Sequence, residues 1–162
     1  LKIALPLFQY NSTCENHMLQ MINPAVDLGI VCSDFDASLH FYRNQLGFAE
    51  VLDIQIPAEV ATGACLAPGP FRQVRLQAGQ TKIKLMEIDS PPPERSVDFQ
   101  AGVRWLTFIV DDVLALVAQL KERGVEFMSE AISAPDAKHV ICAKGPDGML
   151  IELVQLHDND LP

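Results

Sequence analysis

Apolar and polar residues alternate along the first half of the chain in a pattern that predicts a strand, a helix and three further strands. Residues 25–32 place every second side chain on an apolar face, which is typical of a strand packed on one side. Asp34 then provides a favourable N-cap for a helix, and Gly47 is suited to follow its last turn. Three strands are predicted after it, over residues 48–56, 71–77 and 81–88.

Two segments of the chain carry neither a strand nor a helix pattern. Residues 57–70 are rich in Ala, Gly and Pro and are longer than a plain hairpin connection needs, so they form either a lid over a cleft or a surface insertion. Residues 90–98 include three consecutive prolines, which exclude a helix and favour an extended linker.

The same order of elements recurs after the linker. Residues 102–110 form a predicted strand, and Asp112 caps a predicted helix that stops near Gly124. Three strands are predicted after that helix, over residues 125–128, 139–144 and 149–156. The chain therefore contains the pattern βαβββ twice.

This repeat defines the domain organisation and pairs positions between the two halves. The predicted boundaries are 24–89 for the first module, 90–98 for the linker, 99–157 for the second module, 1–23 for an N-terminal extension without an assigned role and 158–162 for a tail. Asp27 of the first module corresponds to Trp105 of the second, and Lys84 corresponds to Glu152. Glu152 is a carboxylate inside an apolar strand, so it points to water or faces a polar cavity, because burying an unpaired charge is costly.

Composition narrows the classes of function. Hydrophobic residues make up 49% of the 162 residues and charged residues 20%, which supports a packed core and argues against disorder. With 12 basic against 21 acidic residues the net charge is −9, which disfavours nucleic acid and anionic membrane surfaces as partners. No apolar run is long enough for a membrane span. The cysteines are widely spaced and form no C-x-x-C pair, so we expect free thiols and a cytoplasmic location.

Three motifs within these elements resemble those of a known family. They are Ser33-Asp34-x-x-x-Ser38-x-x-Phe41-Tyr42-x-x-x-Leu46-Gly47-Phe48, Val110-Asp111-Asp112 and Gly145-Pro146-Asp147-Gly148-x-x-Ile151-Glu152-Leu153. Over residues 25–156 the chain resembles the vicinal oxygen chelate superfamily, which includes glyoxalase I, bleomycin-resistance proteins and extradiol dioxygenases. The resemblance implies an α+β fold of two tandem βαβββ modules, with curled mixed sheets around a cleft and helices on the outer faces. It also implies a cleft that a second subunit often completes, so we expect a homodimer.

The resemblance also implies where a metal would bind. In metal-dependent members, four strand positions hold a divalent metal, and these positions correspond here to Asp27, Lys84, Trp105 and Glu152. Glu152 matches the usual ligand type and Asp27 can ligate, but a charged Lys84 cannot and Trp105 offers only an N–H donor. A catalytic metal centre generally needs about three protein ligands. We therefore expect no metal, with the Lys84 ammonium in its place and paired with Glu152 and Asp27. The alternative is a rebuilt site in which Glu152 and Asp27 hold Zn, Ni, Fe or Mn.

Two classes of function remain open at this stage, since this fold hosts both. The first is a metal-free protein that binds a small flat or apolar molecule in the cleft through Asp27, Lys84, Trp105 and Glu152, with the indole stacked on the ligand. The second is an enzyme, a divergent lyase, isomerase or epimerase, with Lys84, Glu152 and His139 as catalytic candidates. Asp27, Lys84 and Glu152 could also form only a structural ion-pair cluster.

Overall fold

The strands of the computed structural model form two four-stranded mixed sheets, and the residues that the structure describes are 22, 25–96 and 98–158. The first sheet contains β1 (Asp27–Val31), β2 (Ala49–Ile56), β3 (Phe71–Ala78) and β4 (Thr81–Glu87), in the order β1-β4-β3-β2. The second contains β5 (Trp105–Ile109), β6 (Ile132–Ala134), β7 (Ala137–Lys144) and β8 (Leu150–Gln155), in the order β5-β8-β7-β6. In each sheet the first strand is parallel to the last, and the other neighbours are antiparallel. The predicted α+β fold of two βαβββ modules is confirmed.

The strands of the two sheets occupy separate parts of the chain. β1 to β4 lie within residues 24–89, and β5 to β8 lie within residues 99–157. The predicted N-terminal extension and C-terminal tail fall outside the described residues, apart from Ile22 and Asp158. Within the described ranges, no helix has both the length and the apolar character needed to cross a membrane.

Both main helices begin directly after the aspartates that the sequence predicts as caps. The helices are α1 (Phe35–Leu39), which continues as a π-helical segment (His40–Gln45), α2 (Ala58–Gly63) and α3 (Val113–Glu122). The carboxylates of Asp34 and Asp112 each accept a hydrogen bond from the backbone N–H three residues later, at 2.9 Å in both helices. These bonds satisfy backbone donors that the first helical turn leaves without partners, which confirms both caps.

One hydrophobic core is shared by both modules. Every second strand residue points into it, among them Ile83 and Leu85 of β4 and Ile151 of β8, which are fully buried. Across the junction the Phe48 and Phe108 rings meet edge to face with their centroids 5.7 Å apart. The intervening strand residues point away from this core, and we call that side of each sheet its open face.

The segment 57–70, predicted as a loop, contains the short helix α2. Ala61 of α2 is fully buried against Phe71 and Met86, which lie on the open face of the first sheet. Composition alone did not indicate this helix, because its stability comes from this tertiary contact rather than from a long amphipathic pattern. Part of the segment therefore covers one end of the open face.

The prediction of a strand over residues 125–128 is wrong, because the structure contains no continuous strand there. Pairing in this segment is reduced to a single antiparallel bridge between Phe127 and Ala143, and regular pairing resumes only at β6. β6 is the edge strand of its sheet, and its register shifts along β7. An edge strand with irregular pairing does not require a continuous apolar pattern, so the sequence did not indicate where pairing resumes.

The turn before β8 joins the second module to the first. The Asp147 carboxylate accepts hydrogen bonds from the backbone N–H of Ser33 at 3.0 Å, from the Ser33 hydroxyl, and from the hydroxyl of fully buried Ser38 at 3.2 Å. Gln45 Nε2 adds a hydrogen bond to the Arg123 carbonyl at 2.9 Å. These polar contacts orient the two modules around the shared core.

Gly148 in the same turn leaves no room for a side chain. Its φ is +68°, as the sequence predicts for a turn glycine, and a Cβ there would lie 2.5 Å from the Arg95 carbonyl oxygen and 2.7 Å from that of Ser96. The turn therefore packs directly on the backbone of the linker.

We expect Gly148→Ala to lower the free energy of unfolding. Left-handed backbone strain alone costs about 1–3 kcal/mol, and the loss should exceed this because the carbonyl oxygens of Arg95 and Ser96 must also move. Urea denaturation followed by circular dichroism measures the loss. Gly79→Ala is the matched control, since Gly79 has a φ of +57° but open space around it. Equal losses in the two variants would show that the contact with the linker contributes nothing.

Candidate functional site

Asp27 and Lys84 meet on the open face of the first sheet. β1 pairs with β4 so that Asp27 lies opposite Lys82 and Gly29 lies opposite Lys84. Lys84 Nζ is 3.0 Å from Asp27 Oδ2, with 29% and 24% of the two side chains exposed. The Lys84 ammonium holds the pKa of Asp27 below its ordinary value, so Asp27 is ionised at neutral pH and can only accept hydrogen bonds. Asp27 Oδ1 is buried and has no hydrogen-bond partner among the described residues.

Trp105 and Glu152 share the open face of the second sheet. β5 pairs with β8 so that Thr107 lies opposite Glu152, and the Thr107 hydroxyl donates a hydrogen bond to Glu152 Oε2 at 2.5 Å. Trp105 lies two residues before Thr107 on the same face, and its side chain is half exposed. Cys142 of β7 lies opposite Glu152, and burial together with the Glu152 charge raises the pKa of its thiol. This thiol stays protonated at neutral pH and is therefore a poor nucleophile.

The prediction of an ion pair between Lys84 and Glu152 is wrong. In the part of the chain that the structure describes, the ion-pair partner of Lys84 is Asp27, and Glu152 instead accepts from Thr107. β4 and β8 belong to different sheets, so the repeat places Lys84 and Glu152 at equivalent positions rather than adjacent ones. The four predicted residues therefore form two half-sites, Asp27 with Lys84 and Trp105 with Glu152.

His139, a catalytic candidate from the sequence, lies on the opposite side of the second sheet from Glu152. His139 lies opposite Gln155 and alternates in β7 with Ile141 and Ala143 on the buried side, whereas Cys142 shares the open face with Glu152. A shift of one residue along a strand reverses the face to which a side chain points. His139 therefore lies on the core side of the sheet, away from both half-sites.

The two half-sites do not fit a divalent metal centre. Within residues 22, 25–96 and 98–158, no three side chains of His, Cys, Asp or Glu come together in a group that could hold a metal. Oδ2 of Asp27 is already bound to an ammonium. A dication about 4 Å from that ammonium would cost about 8 kcal/mol at an effective dielectric constant near 20. Trp105 and Thr107 offer no strong ligand beside Glu152.

The open face of the first sheet also carries two basic residues that the sequence analysis did not select. Lys82 lies opposite Asp27 across β1 and β4, and Arg75 of β3 lies opposite Lys84. The signal was present in the sequence, because Lys82 and Lys84 alternate with Ile83 in an apolar strand. Neither residue occupies a position that corresponds to a metal ligand, so the family resemblance does not point to them.

Comparison with known proteins agrees with this architecture. The chain is 28% identical over 128 residues to the uncharacterized protein YaeR of Escherichia coli (strain K12), which covers 79% of this chain and 92% of that protein. The crystal structure of a glyoxalase family protein from Bacillus cereus aligns with a TM-score of 0.66 at 20% identity, covering 90% of this chain and 99% of the other. The antibiotic binding protein TnmS3 of Streptomyces sp. CB03234 aligns with a TM-score of 0.59 at 23% identity, covering 88% and 100%. Both structural likenesses concern the fold. The family model of the glyoxalase/bleomycin resistance protein/dioxygenase superfamily matches residues 20–153, and the chain belongs to that superfamily.

Proposed function

We propose that this protein binds a small flat or apolar molecule between its open faces and that it does so without a metal. The observation that carries the proposal is the position of the Lys84 ammonium, 3.0 Å from Asp27 at a place where metal-dependent relatives hold a metal ligand. The Lys84 side chain there supplies positive charge where a metal would supply it in those relatives. It leaves hydrogen bonding and ion pairing as the chemistry of that half-site.

Trp105 provides the contact for a flat ligand. Trp105 is half exposed on β5, which also carries Thr107 on the same face, and Glu152 of the neighbouring strand β8 lies opposite Thr107. An exposed ring that is rigidly held by a strand loses little entropy when a planar molecule stacks on it. The ligand then lies beside a carboxylate that is already oriented by the Thr107 hydroxyl.

The two half-sites come together through a second copy of the chain. They lie on separate sheets, and no hydrogen bond or ion pair between described residues joins them. The edge strands β1 and β5 expose apolar side chains on their open faces, with 40% of Val31 and 63% of Ile109 accessible. In the homodimer that we propose, the first open face of one copy covers the second open face of its partner and encloses the ligand.

The alternative function is an isomerase, epimerase or lyase that uses Lys84 as an acid or base. The observation that favours it is the pairing of a partly exposed ammonium with a carboxylate that has one buried oxygen without a partner. Such a pair can deliver a proton to a bound carbonyl or enolate oxygen. We place the protein in the cytoplasm under either function, since Cys32, Cys65 and Cys142 are free thiols.

Divalent metals are expected to leave the thermal stability of the wild-type protein unchanged. A ligand that binds only the folded state raises the midpoint of unfolding, so Zn, Ni, Fe and Mn are compared with a chelator by differential scanning fluorimetry. Lys84→Glu, which removes the ammonium and adds a carboxylate next to Asp27, is the positive comparison and should gain a metal-dependent shift. A shift in the wild type, with stoichiometric metal retained after purification, would instead support the enzyme.

Trp105→Leu should weaken the binding of planar aromatic probes about two- to tenfold, since an aromatic contact contributes about 0.5–1.5 kcal/mol beyond buried area. Trp105 is the only tryptophan of the chain, so quenching of its fluorescence identifies the probes that bind near it. Calorimetry then compares the wild type with the variant. Phe99→Leu is the control, because Phe99 is 91% exposed and lies before β5, outside the strands that form the open faces. Equal affinities of wild type and Trp105→Leu would exclude the proposed stacking contact.

Ile109→Arg should raise the dissociation constant of the dimer at least tenfold, because it introduces a charge into the face that the partner covers. Sedimentation velocity over a range of concentrations measures the constant. Leu114→Arg is the matched control, since Leu114 is 53% exposed but lies on α3. A wild-type protein that stays monomeric at high concentration, or equal effects of both variants, would contradict this arrangement.

A further inference from the structure

The open face of the first sheet carries a local excess of positive charge. Among its strand residues on this face, Arg75, Lys82 and Lys84 are basic and Asp27 is acidic, which gives three positive charges against one negative charge, or +2. The whole chain has a net charge of −9. A cationic patch on an otherwise acidic protein attracts anions locally while the protein as a whole repels them.

Two of these cations lie directly opposite each other. Arg75 and Lys84 are register partners in the antiparallel pair of β3 and β4, an arrangement that destabilises a sheet unless an anion lies between the charges. Lys84 is partly neutralised by Asp27, whereas Arg75 Nε donates to the neutral side-chain oxygen of Gln73 at 2.8 Å. Among the described residues, no carboxylate lies within ion-pair distance of Arg75 or Lys82.

The other arginine of β3, Arg72, differs from Arg75 in having carboxylate partners. Arg72 lies on the opposite side of the sheet and is paired with Asp53 at 2.8 Å and with Glu87 at 3.1 Å. The sequence thus supplies two carboxylates where an arginine stabilises the fold. Among the described residues it places none within ion-pair distance of Arg75, which has a guanidinium of the kind that binds carboxylate and phosphate groups with two parallel hydrogen bonds.

The same half-site also contains an acceptor that lacks a donor. Asp27 uses Oδ2 for the ion pair, and its Oδ1 is buried and without a hydrogen-bond partner in the described residues. A buried acceptor of this kind costs free energy until a donor reaches it. The half-site therefore offers several cations to an anion and one unpaired acceptor, Asp27 Oδ1, to a hydroxyl or amine.

An apolar wall adjoins this charged area. Ala61 of α2 packs on Phe71 and Met86 at one end of the open face. Met86 is two residues from Lys84 along β4, a distance of about 7 Å. These three side chains are almost fully buried, but Val31, which lies opposite Met86 on the same face, is 40% exposed. A ligand of the size of one aromatic ring can therefore contact Val31 while its polar groups reach the cations.

We propose that Arg75 and Lys82, together with Lys84, bind an anionic group of the ligand, a carboxylate or a phosphate, and that Asp27 Oδ1 accepts a hydrogen bond from a hydroxyl or amine of the same ligand. The ligand class is thus a small hydroxy acid or amino acid with a flat or apolar body. This inference rests on the proposed binding function and assigns the polar end of its ligand.

The test uses the full chain and three probes: 2-hydroxybenzoate, its neutral amide 2-hydroxybenzamide, and inorganic phosphate. Calorimetry should show that 2-hydroxybenzoate binds at least tenfold more tightly than the amide, and that phosphate competes with it. Arg75→Gln should weaken 2-hydroxybenzoate at least tenfold and leave the amide unchanged. Lys82→Gln should also weaken the binding of 2-hydroxybenzoate and leave that of the amide unchanged. This second variant keeps the test decisive if Arg75→Gln does not fold.

Arg72→Gln is the matched control, with the same substitution in the same strand but on the opposite side of the sheet, and it should leave both affinities unchanged. Equal affinities for the acid and the amide, or no binding of either anion at millimolar concentration, would overturn the anion site. Binding of the amide that depends on Trp105 would in that case still support the proposed function. If none of the three probes bound to the wild type or to any variant, both the anion site and the proposed binding function would be overturned.

Discussion

Each sheet of this protein buries one face in the shared core, and the rest of the structure depends on that constraint. Side chains alternate along every strand, so the residues that build the shared core, such as Ile83 and Leu85, leave the positions between them on the open face. Lys82 and Lys84 can carry charge in the middle of an apolar strand because they occupy those positions. A register shift of one residue would bury both ammonium groups and expose the core, at a cost that no local contact could offset.

The ion pair between Asp27 and Lys84 changes the kind of chemistry that the first open face supports. In a relative with metal ligands at these positions, the site would bind a cation and present it to an oxygen of the substrate. Here a fixed ammonium is present, and Arg75 and Lys82 add further positive charge close to it. Such a surface repels dications and attracts anions, so in the binding mode that we propose the same backbone positions in the same fold hold an anionic group instead of a metal cation.

The elements of the fold were largely predictable because their signals are local. Asp34 and Asp112 cap their helices through hydrogen bonds to residues only three positions away, and strand alternation is visible in any short window. The helix α2 was not predictable in this way. It is six residues long, and the burial of Ala61 depends on Phe71 and Met86, which are brought to it by the sheet. The interrupted pairing near residues 125–128 likewise depends on the register of an edge strand.

The sequence by itself determined the repeated βαβββ pattern and the residues that share each face. These properties follow from side-chain chemistry and from the two-residue period of a strand, neither of which requires knowledge of distant contacts. Only the tertiary structure decided which of these residues meet. It paired Lys84 with Asp27 rather than with Glu152, because β4 lies beside β1 while β8 belongs to the other sheet. It also placed His139 on the core side, because strand register depends on pairing between segments that are separate along the chain.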